Sequence, residues 1–596
     1  MPGILSLLPQ LSQPLIRVMA VVLCGHLSLT AVLAAPAPEI EASTKQPGQS
    51  GEQVLRVQRS LQELGLYLGP VTGRMNAETR AAIRLYQQTN GLIVDGTISI
   101  RLNETLENTI NVRNLLSKLG KARKQKTNAA RAALLSHPAT RDLINNDPGE
   151  RANAARDTKS CLRAPTVRCL LKEATETAKA IYKTELRDWA LGEILIVQGR
   201  AGLSQEAMET AGRIHDPRLI MVALGDIAKA LAMAGQHKNA KEAVAIIPDE
   251  QKRMDTGLAV ARIYMENGQK NNALETLQRL ESDITGTADL TQRIQLQTRK
   301  ALILWQLGEQ DRARKDLDLA AKLAGEETNR RQNQLITARI ATTYARINDP
   351  DRALKLLGNI DKISTKTPAL MKVVDAEARQ GDYGKAFATA ANIPQMRYRV
   401  IALGNIAGIQ IKTGNLAAAK ATLNRALDDA DSIRLSYARS FAYSHLAIAR
   451  SRLGFNPPQP DHDQILKAIS TAQKIKDNRL RAKTLWRIAG LQKKSGDIPG
   501  AEKTRQLARQ ETGKIISVLS RVWVLSQYSH QSVRRNDRDD ANMAFQEALD
   551  VARTIDNPWS RARALARLAS TLLELAGFAQ PENEDNETAP EIITKP

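Results

Sequence analysis

The sequence predicts an all-α chain, a small three-helix domain followed by a long α-solenoid of helix pairs, and three observations carry that prediction. The first is a beat of glycines: Gly199, Gly235, Gly268, Gly308, Gly381, Gly414, Gly454 and Gly496 fall 33 to 42 residues apart, with one gap of 73. Asn348 fills that gap and Asn536 the stretch before Gly577; asparagine also tolerates a left-handed helix cap. The second is an alanine five residues after most beats (Ala240, Ala273, Ala313, Ala353, Ala386, Ala419, Ala501, Ala541), with a small residue seven before (Gly192, Ala228, Ala261, Ala301, Ala341, Ala407, Ala447, Ala489, Ser529). One helix ends at each beat, a second starts just after it, and small side chains let the two approach. The third is composition: aromatics make up only 3 % of 596 residues, which leaves helix packing to alanine and aliphatic residues. A period in this range is that of a solenoid, which offers a surface for binding.

The N-terminus reads as an export signal. Residues 18–34 form an apolar run behind Arg17, and Ala34, Ala35 and Ala37 supply small residues for cleavage. Residues 1–35 are thus assigned as a signal peptide and 36–51 as a linker, with an uncleaved anchor as the competing reading. A lipoprotein at Cys24 is disfavoured by Leu23, which sits where a small residue is needed. The formal charge of +22 would suggest nucleic acid in a cytosolic protein; export to the periplasm removes that partner. Loss of the signal leaves Cys161 and Cys169, an even count that favours a disulfide in an oxidising compartment. Closing that short loop contributes on the order of 2–3 kcal/mol.

Residues 52–106 read as three short helices. Val54, Val57, Leu61 and Leu64 recur at helical spacing until Gly65 stops the first. The turn Gly69, Pro70, Val71, Thr72, Gly73 follows, and Asn76 caps a second helix that runs to Asn90 and Gly91. Asp95 and Gly96 turn the chain into a last helix expected to end near Leu106. In Val57, Gln58, Leu61, Leu64, Gly65, Pro70, Val71, Gly73, Thr79, Ala82, Tyr86, Gln87, Gly91, Leu92, Val94, Asp95 and Gly96 the segment resembles the three-helix peptidoglycan-binding domain appended to cell-wall amidases. It departs at Thr72 (usually Asp), at Tyr86 (usually Phe) and at Ser99 to Leu102, where the family's Gly-x-x-Thr is missing. The resemblance implies peptidoglycan as ligand, in a groove edged by the Gly69–Arg74 turn (Gly69, Pro70, Gly73) and the start of the second helix. Tyr67, Arg74, Thr79 and Tyr86 are the implied contacts, Arg74 being suited to a stem carboxylate.

Between Arg113 and Arg141 lie eight Lys or Arg, ends included, and no acid. Residues 107–160 are therefore expected to be a basic helical linker, either simply solvated or in peripheral contact with an anionic envelope surface. Helix pairs fill 161–577, about ten of them; RLIMVALGDIAKALAMAG (218–235) followed by HKNAKEAVAII is representative. The small residue, the terminal glycine and the alanine five residues later resemble tetratricopeptide repeats, although the large aromatic of their first helix is mostly absent; HEAT-type pairs are the runner-up. This resemblance implies a protein partner, an unidentified envelope protein on the concave face. A proline-rich loop interrupts the array at 455–461, and residues 578–596 read as a disordered acidic tail.

Catalytic chemistry is not expected. Six histidines of the mature chain (His137, His215, His237, His445, His462, His530) are scattered, and only His462 stands among carboxylates, between Asp461 and Asp463. No metalloprotease, nucleophile-elbow or phosphate-loop motif occurs, and no cofactor or metal is implied. Two functions remain, a peptidoglycan-anchored scaffold and an adaptor of a wall-cutting or wall-building enzyme. A self-associating structural protein is a third and weaker reading.

Overall fold

The structure is a computed structural model that describes residues 51–144, 151–153, 156, 158–455 and 460–577. The assigned signal peptide, most of the 36–51 linker and the acidic tail lie outside the described residues. The chain divides into two compact units, Met1–Gly120 and Lys121–Pro596.

In the first unit, α1 (Gly51–Glu63), α2 (Ala77–Thr89) and the start of α3 (Ile100–Ser136) enclose a small core of Val57, Leu61, Tyr67, Ala82, Ile83, Tyr86, Leu102 and Leu106. The left-handed turns fall at Gly65, Gly73, Gly91 and Gly96, as the sequence requires. The last helix does not end near Leu106. It runs on to Ser136, because neither Pro nor a Gly turn interrupts good helix formers until Ser136, His137 and Pro138. Ser99 explains the missing Gly-x-x-Thr: its hydroxyl accepts from the Leu102 amide at 3.0 Å and caps this longer helix. The basic run expected as a linker is thus mostly the exposed middle and end of α3.

The second unit is all helical. After a 3₁₀ turn (Arg141–Ile144) come α4 (Thr158–Arg163) and α5 (Val167–Ala178), joined by the disulfide Cys161–Cys169. The first helices of the pairs are α6 (Thr184–Arg200), α8 (Pro217–Met233), α10 (Glu250–Glu266), α12 (Leu290–Gln306), α14 (Arg330–Arg346), α16 (Ile363–Arg379), α18 (Met396–Lys412), α20 (Ser436–Gly454), α22 (Asn478–Lys494), α24 (Val518–Arg534) and α26 (Pro558–Leu575). Their partners are α7 (Ser204–Gly212), α9 (His237–Ala245), α11 (Lys270–Gly286), α13 (Gln310–Ala324), α15 (Pro350–Gly358), α17 (Tyr383–Ala391), α19 (Leu416–Asp431), α21 (His462–Gln473), α23 (Ile498–Gly513) and α25 (Arg538–Arg553).

Most pairs close through the small residues read from the sequence; Gly192 is an exception, being half-buried with open space where a Cβ would stand, because the cap of its pair falls later, at Gly202. Ala228, Ala261, Ala301, Ala341, Ala407 and Ala447 in the first helices are fully buried, as are Ala240, Ala273, Ala313, Ala353, Ala386 and Ala419 in the second. At Ser529 the hydroxyl donates directly to the Ala541 carbonyl at 2.7 Å. Asn348 (φ 64°) and Asn536 (φ 59°) take the left-handed caps assigned to them.

Two of the beats need correction. Gly199 is helical inside α6, where a Cβ would come within 2.9 Å of Ala230 Cβ; the left-handed cap is Gly202 (φ 76°), followed five residues on by buried Ala207. Gly454 is the last residue of α20 and is small for packing: a Cβ there would meet Ile465 Cγ1 at 2.7 Å and the Asp461 carbonyl at 3.0 Å.

The array closes on itself. The last described helix, α26, packs on α5, which precedes the first pair, and on α6. Arg200 of α6 donates to Ser570 Oγ at 3.0 Å and pairs with Glu574 at 3.2 Å, while Arg553 at the end of α25 donates to the Leu162 carbonyl at 2.7 Å. Arg563 forms a fork to Glu193 at 2.6 and 2.9 Å and lies 4.4, 4.9 and 4.6 Å from the ring centroids of Trp189, Trp523 and Trp559. Neighbouring first helices pack on each other all the way round, whereas consecutive second helices barely meet. Helices that lie closer together occupy the smaller circumference, so the first helices form the inner wall of a ring.

Gly414 (φ 80°) has open space around its would-be Cβ, so strain alone acts on a substitution there. Gly414→Val is expected to destabilise the α18–α19 pair by about 1–2 kcal/mol, since a β-branched residue resists positive φ. Faster amide exchange confined to those helices and their neighbours is the expected readout; unchanged exchange would show that the cap is not strained.

Candidate functional site

The first unit is organised by two buried glutamines, each inside a turn. Gln58, fully buried on α1, reaches the Gly69–Arg74 turn. Its Oε1 accepts from the amides of Thr72 at 3.1 Å and Gly73 at 2.9 Å, while its Nε2 donates to the Arg74 carbonyl at 3.0 Å and to Thr79 Oγ1 at 2.9 Å. Gln87 on α2 repeats the arrangement for the second turn: Oε1 accepts from Asp95 and Gly96 amides at 3.1 and 2.9 Å, and Nε2 donates to Asp95 Oδ1 at 2.7 Å. A primary amide carries donors and acceptors at once, so it can satisfy a turn that no aliphatic side chain could.

The family departure at Thr72 fits this scheme. Thr72 Oγ1 accepts from the Arg74 amide at 3.3 Å, as Asp95 Oδ1 accepts from the Thr97 amide at 2.8 Å. Those hydrogen bonds from Thr97, backbone first, hold the Asp95 carboxyl below its usual range.

The implied contacts separate into two sets. Tyr67, Thr79 and Tyr86 are buried and serve the frame. Tyr67 Oη donates to the Pro70 carbonyl at 2.9 Å, and Thr79 shares Asn76 Oδ1 at 2.6 Å while its amide takes the same oxygen at 2.7 Å. Tyr86 Oη meets Thr109 Oγ1 at 2.7 Å, and burial raises its pKa. In this conformation none of the three presents its ring or hydroxyl to a ligand from solvent, because the core needs the aromatic volume and the turns need the hydroxyls. Pro70 and Arg74 are exposed at the turn, with Gly69 and Gly73 half-buried beside them. The Glu78 carboxylate lies against Gly69, where a Cβ would come within 2.5 Å of Oε2. Arg74 and Glu78 therefore place a cation and an anion on the two sides of one turn. The sequence pointed to the turn and to Arg74 but not to Glu78, whose position depends on how α2 is laid against Gly69.

Asp461 and Asp463 act locally around His462. Asp461 caps α21, accepting from the Gln464 amide at 3.2 Å, and Asp463 pairs with Lys467 at 2.7 Å. Among the described residues no group of three or more His, Cys, Asp or Glu is arranged to hold a metal ion, and no helix is long and apolar enough to cross a membrane.

Comparison with known proteins bears on the first unit. Residues 50–106 match the family described as "Putative peptidoglycan binding domain". Among solved structures, similarity is found to Ton1535 from Thermococcus onnurineus NA1 (16 % identity over 58 % of this chain and 98 % of that one, TM-score 0.28). It is also found to a circular tandem repeat protein with novel repeat topology and enhanced subunit contact surfaces (13 % identity, 70 % of this chain and 97 % of that one, TM-score 0.17). No curated protein matches the chain. The chain thus joins a peptidoglycan-binding-family segment at residues 50–106 to a long all-helical repeat region.

Proposed function

We propose that this is a non-enzymatic, exported envelope protein that attaches to peptidoglycan through residues 52–106 and holds a protein partner on its helical ring. The observation that carries the reading is the family match at residues 50–106, with Arg74 exposed on a turn held by Gln58. A guanidinium there is suited to the carboxylates of peptide stems. Cys161–Cys169 supports an oxidising compartment, in keeping with the N-terminal apolar run and a periplasmic location. The ring supports a scaffold because its helices offer a continuous surface. An adaptor of a wall hydrolase or synthase is the same reading with an enzyme as the partner.

Sacculus binding should have a specific and a diffuse component. The exposed cations Lys121, Arg123, Lys124 and Lys126 on α3 supply the diffuse one, which is screened beyond roughly 8 Å at physiological ionic strength. In the full chain, replacing these four by Gln is expected to weaken co-sedimentation with purified sacculi at low salt only. Arg74→Ala is expected to weaken it several-fold at every salt concentration. If Arg74→Ala binds like the parent throughout, the turn is not the contact surface.

A further inference from the structure

The N-terminal ends of the first helices do not share charge evenly. The two helices of a pair run antiparallel, so every first helix starts from the same rim of the ring. In the four residues before each first helix and its first four, α18, α20, α22 and α24 together carry ten Lys or Arg against one acid, Asp477. The same eight positions of the other seven first helices carry twelve against nine. The helix dipole favours acids at a helix start, so this sector departs in the opposite sense.

The basic starts are neighbours. The Lys476 amide donates to Ser440 Oγ at 3.2 Å, which sets the entry of α22 beside α20. Asn478 Nδ2 donates to the Lys514 carbonyl at 3.2 Å, which sets α22 beside the entry of α24. Acids at the ends of the second helices take up part of the charge: Asp429 faces Arg399 at 3.9 Å, Asp431 faces Lys474 at 3.6 Å, and Glu511 pairs with Arg481 at 2.5 Å and Lys514 at 2.7 Å. Asp477 caps α22 by accepting from the Leu480 amide at 2.6 Å. Arg434, Lys476 and Arg479 are exposed and make no ion pair among the described residues.

Large apolar side chains stand out on both sides of these cations. Leu435 is 69 % and Tyr437 66 % exposed at the start of α20, and Ile516 is 95 % exposed just before α24. Packed helix axes lie about 8–10 Å apart, so the two apolar points are about 18 Å from each other, with Lys476 and Arg479 between them. Beyond α26 the same rim carries Tyr182, 98 % exposed just before α6; the starts of α26 and α6 are joined by the Trp189–Trp559 contact, with ring centroids 5.6 Å apart. One exposed leucine is ordinary, but apolar tips that alternate with unpaired cations along one rim are not.

We propose that this rim docks on an anionic phospholipid surface, with Arg434, Lys476 and Arg479 over the phosphates and Leu435, Tyr437 and Ile516 reaching into the headgroup layer. Charge complementarity selects an anionic partner. The spacing selects a bilayer over a folded protein. Protein interfaces gather their anchors in one packed centre, whereas separated, protruding side chains on a rim can each enter a headgroup layer to the same depth. A tyrosine suits that depth, its ring apolar and its hydroxyl in water. Wall attachment uses the first unit, so the two contacts are tested separately.

The test is co-sedimentation of the chain from residue 36 onward with phosphatidylcholine vesicles, with and without phosphatidylglycerol, at physiological ionic strength. Binding is expected only when phosphatidylglycerol is present. Arg434→Glu, Lys476→Glu and Arg479→Glu together should weaken it by about 100-fold or more. Leu435→Ser with Ile516→Ser should weaken it by about tenfold, with helix content by circular dichroism unchanged. Replacing Lys121, Arg123, Lys124 and Lys126 by Gln should leave most of the binding in place. Binding of either rim variant equal to that of the parent overturns the proposal, as does loss of binding in the α3 variant. Equal capture of the parent by polyglutamate-coated beads would make the rim a general polyanion surface and overturns it too. Should the charge-reversed variant lose helix content, the same three positions changed to Gln decide in its place.

Discussion

Arg563→Ala is expected to open the ring at its seam. The guanidinium is 4 % exposed, forked to Glu193 and enclosed by Trp189, Trp523 and Trp559, three of the five tryptophans of the chain. Alanine removes the ion pair, the cation–π contacts and the volume together, and leaves Glu193 partly buried without its fork. Breaking such a pair costs about 3 kcal/mol or more. Repeats are stabilised by their nearest neighbours, so the loss should stay local. Amide exchange in α5, α6 and α26 should rise by about 100-fold, while α14 to α18, further round the ring, should be unaffected. Arg563→Lys, which keeps charge but not the fork, should fall between. Unchanged exchange at the seam would show that α26 does not depend on these contacts.

The second large effect is expected from Gln58→Leu. Leucine fills the volume but leaves the partly buried amides of Thr72 and Gly73 and the buried Thr79 hydroxyl without this partner. Each such loss costs about 1–3 kcal/mol. A core of eight buried side chains in so small a unit has little to spare, since domains of this size hold only about 3–5 kcal/mol. The first unit should therefore unfold and sacculus binding disappear, while thermal unfolding of the helical ring is unchanged. A folded first unit in this variant would show that the turn does not need the amide.

How far the sequence could be read follows from which forces are local. Left-handed caps and small packing positions are dictated by neighbours within one helix pair, so Gly414, Asn348, Asn536 and the alanine series were legible. Gly199 and Gly454 misled because close packing selects glycine as well, and period alone does not separate the two causes. Ring closure was not legible: α26 and α5 lie nearly four hundred residues apart, and each reads as an ordinary helix. In the first unit the turns and the core showed in the pattern, but Tyr67, Thr79 and Tyr86 did not reveal that they face inward. A tyrosine or threonine serves a ligand and a buried turn equally well, and only the Gln58 network, spread over twenty residues, decides between them.

Attachment to the wall is the claim on which the functional account stands. Its most direct test is co-sedimentation of the full chain with purified sacculi at and above physiological ionic strength, with soluble peptidoglycan fragments as competitor. The chain is expected to pellet with sacculi under these conditions, and excess fragments should return it to the supernatant. A chain that remains soluble, or that pellets only at low salt and ignores the fragments, would contradict the account.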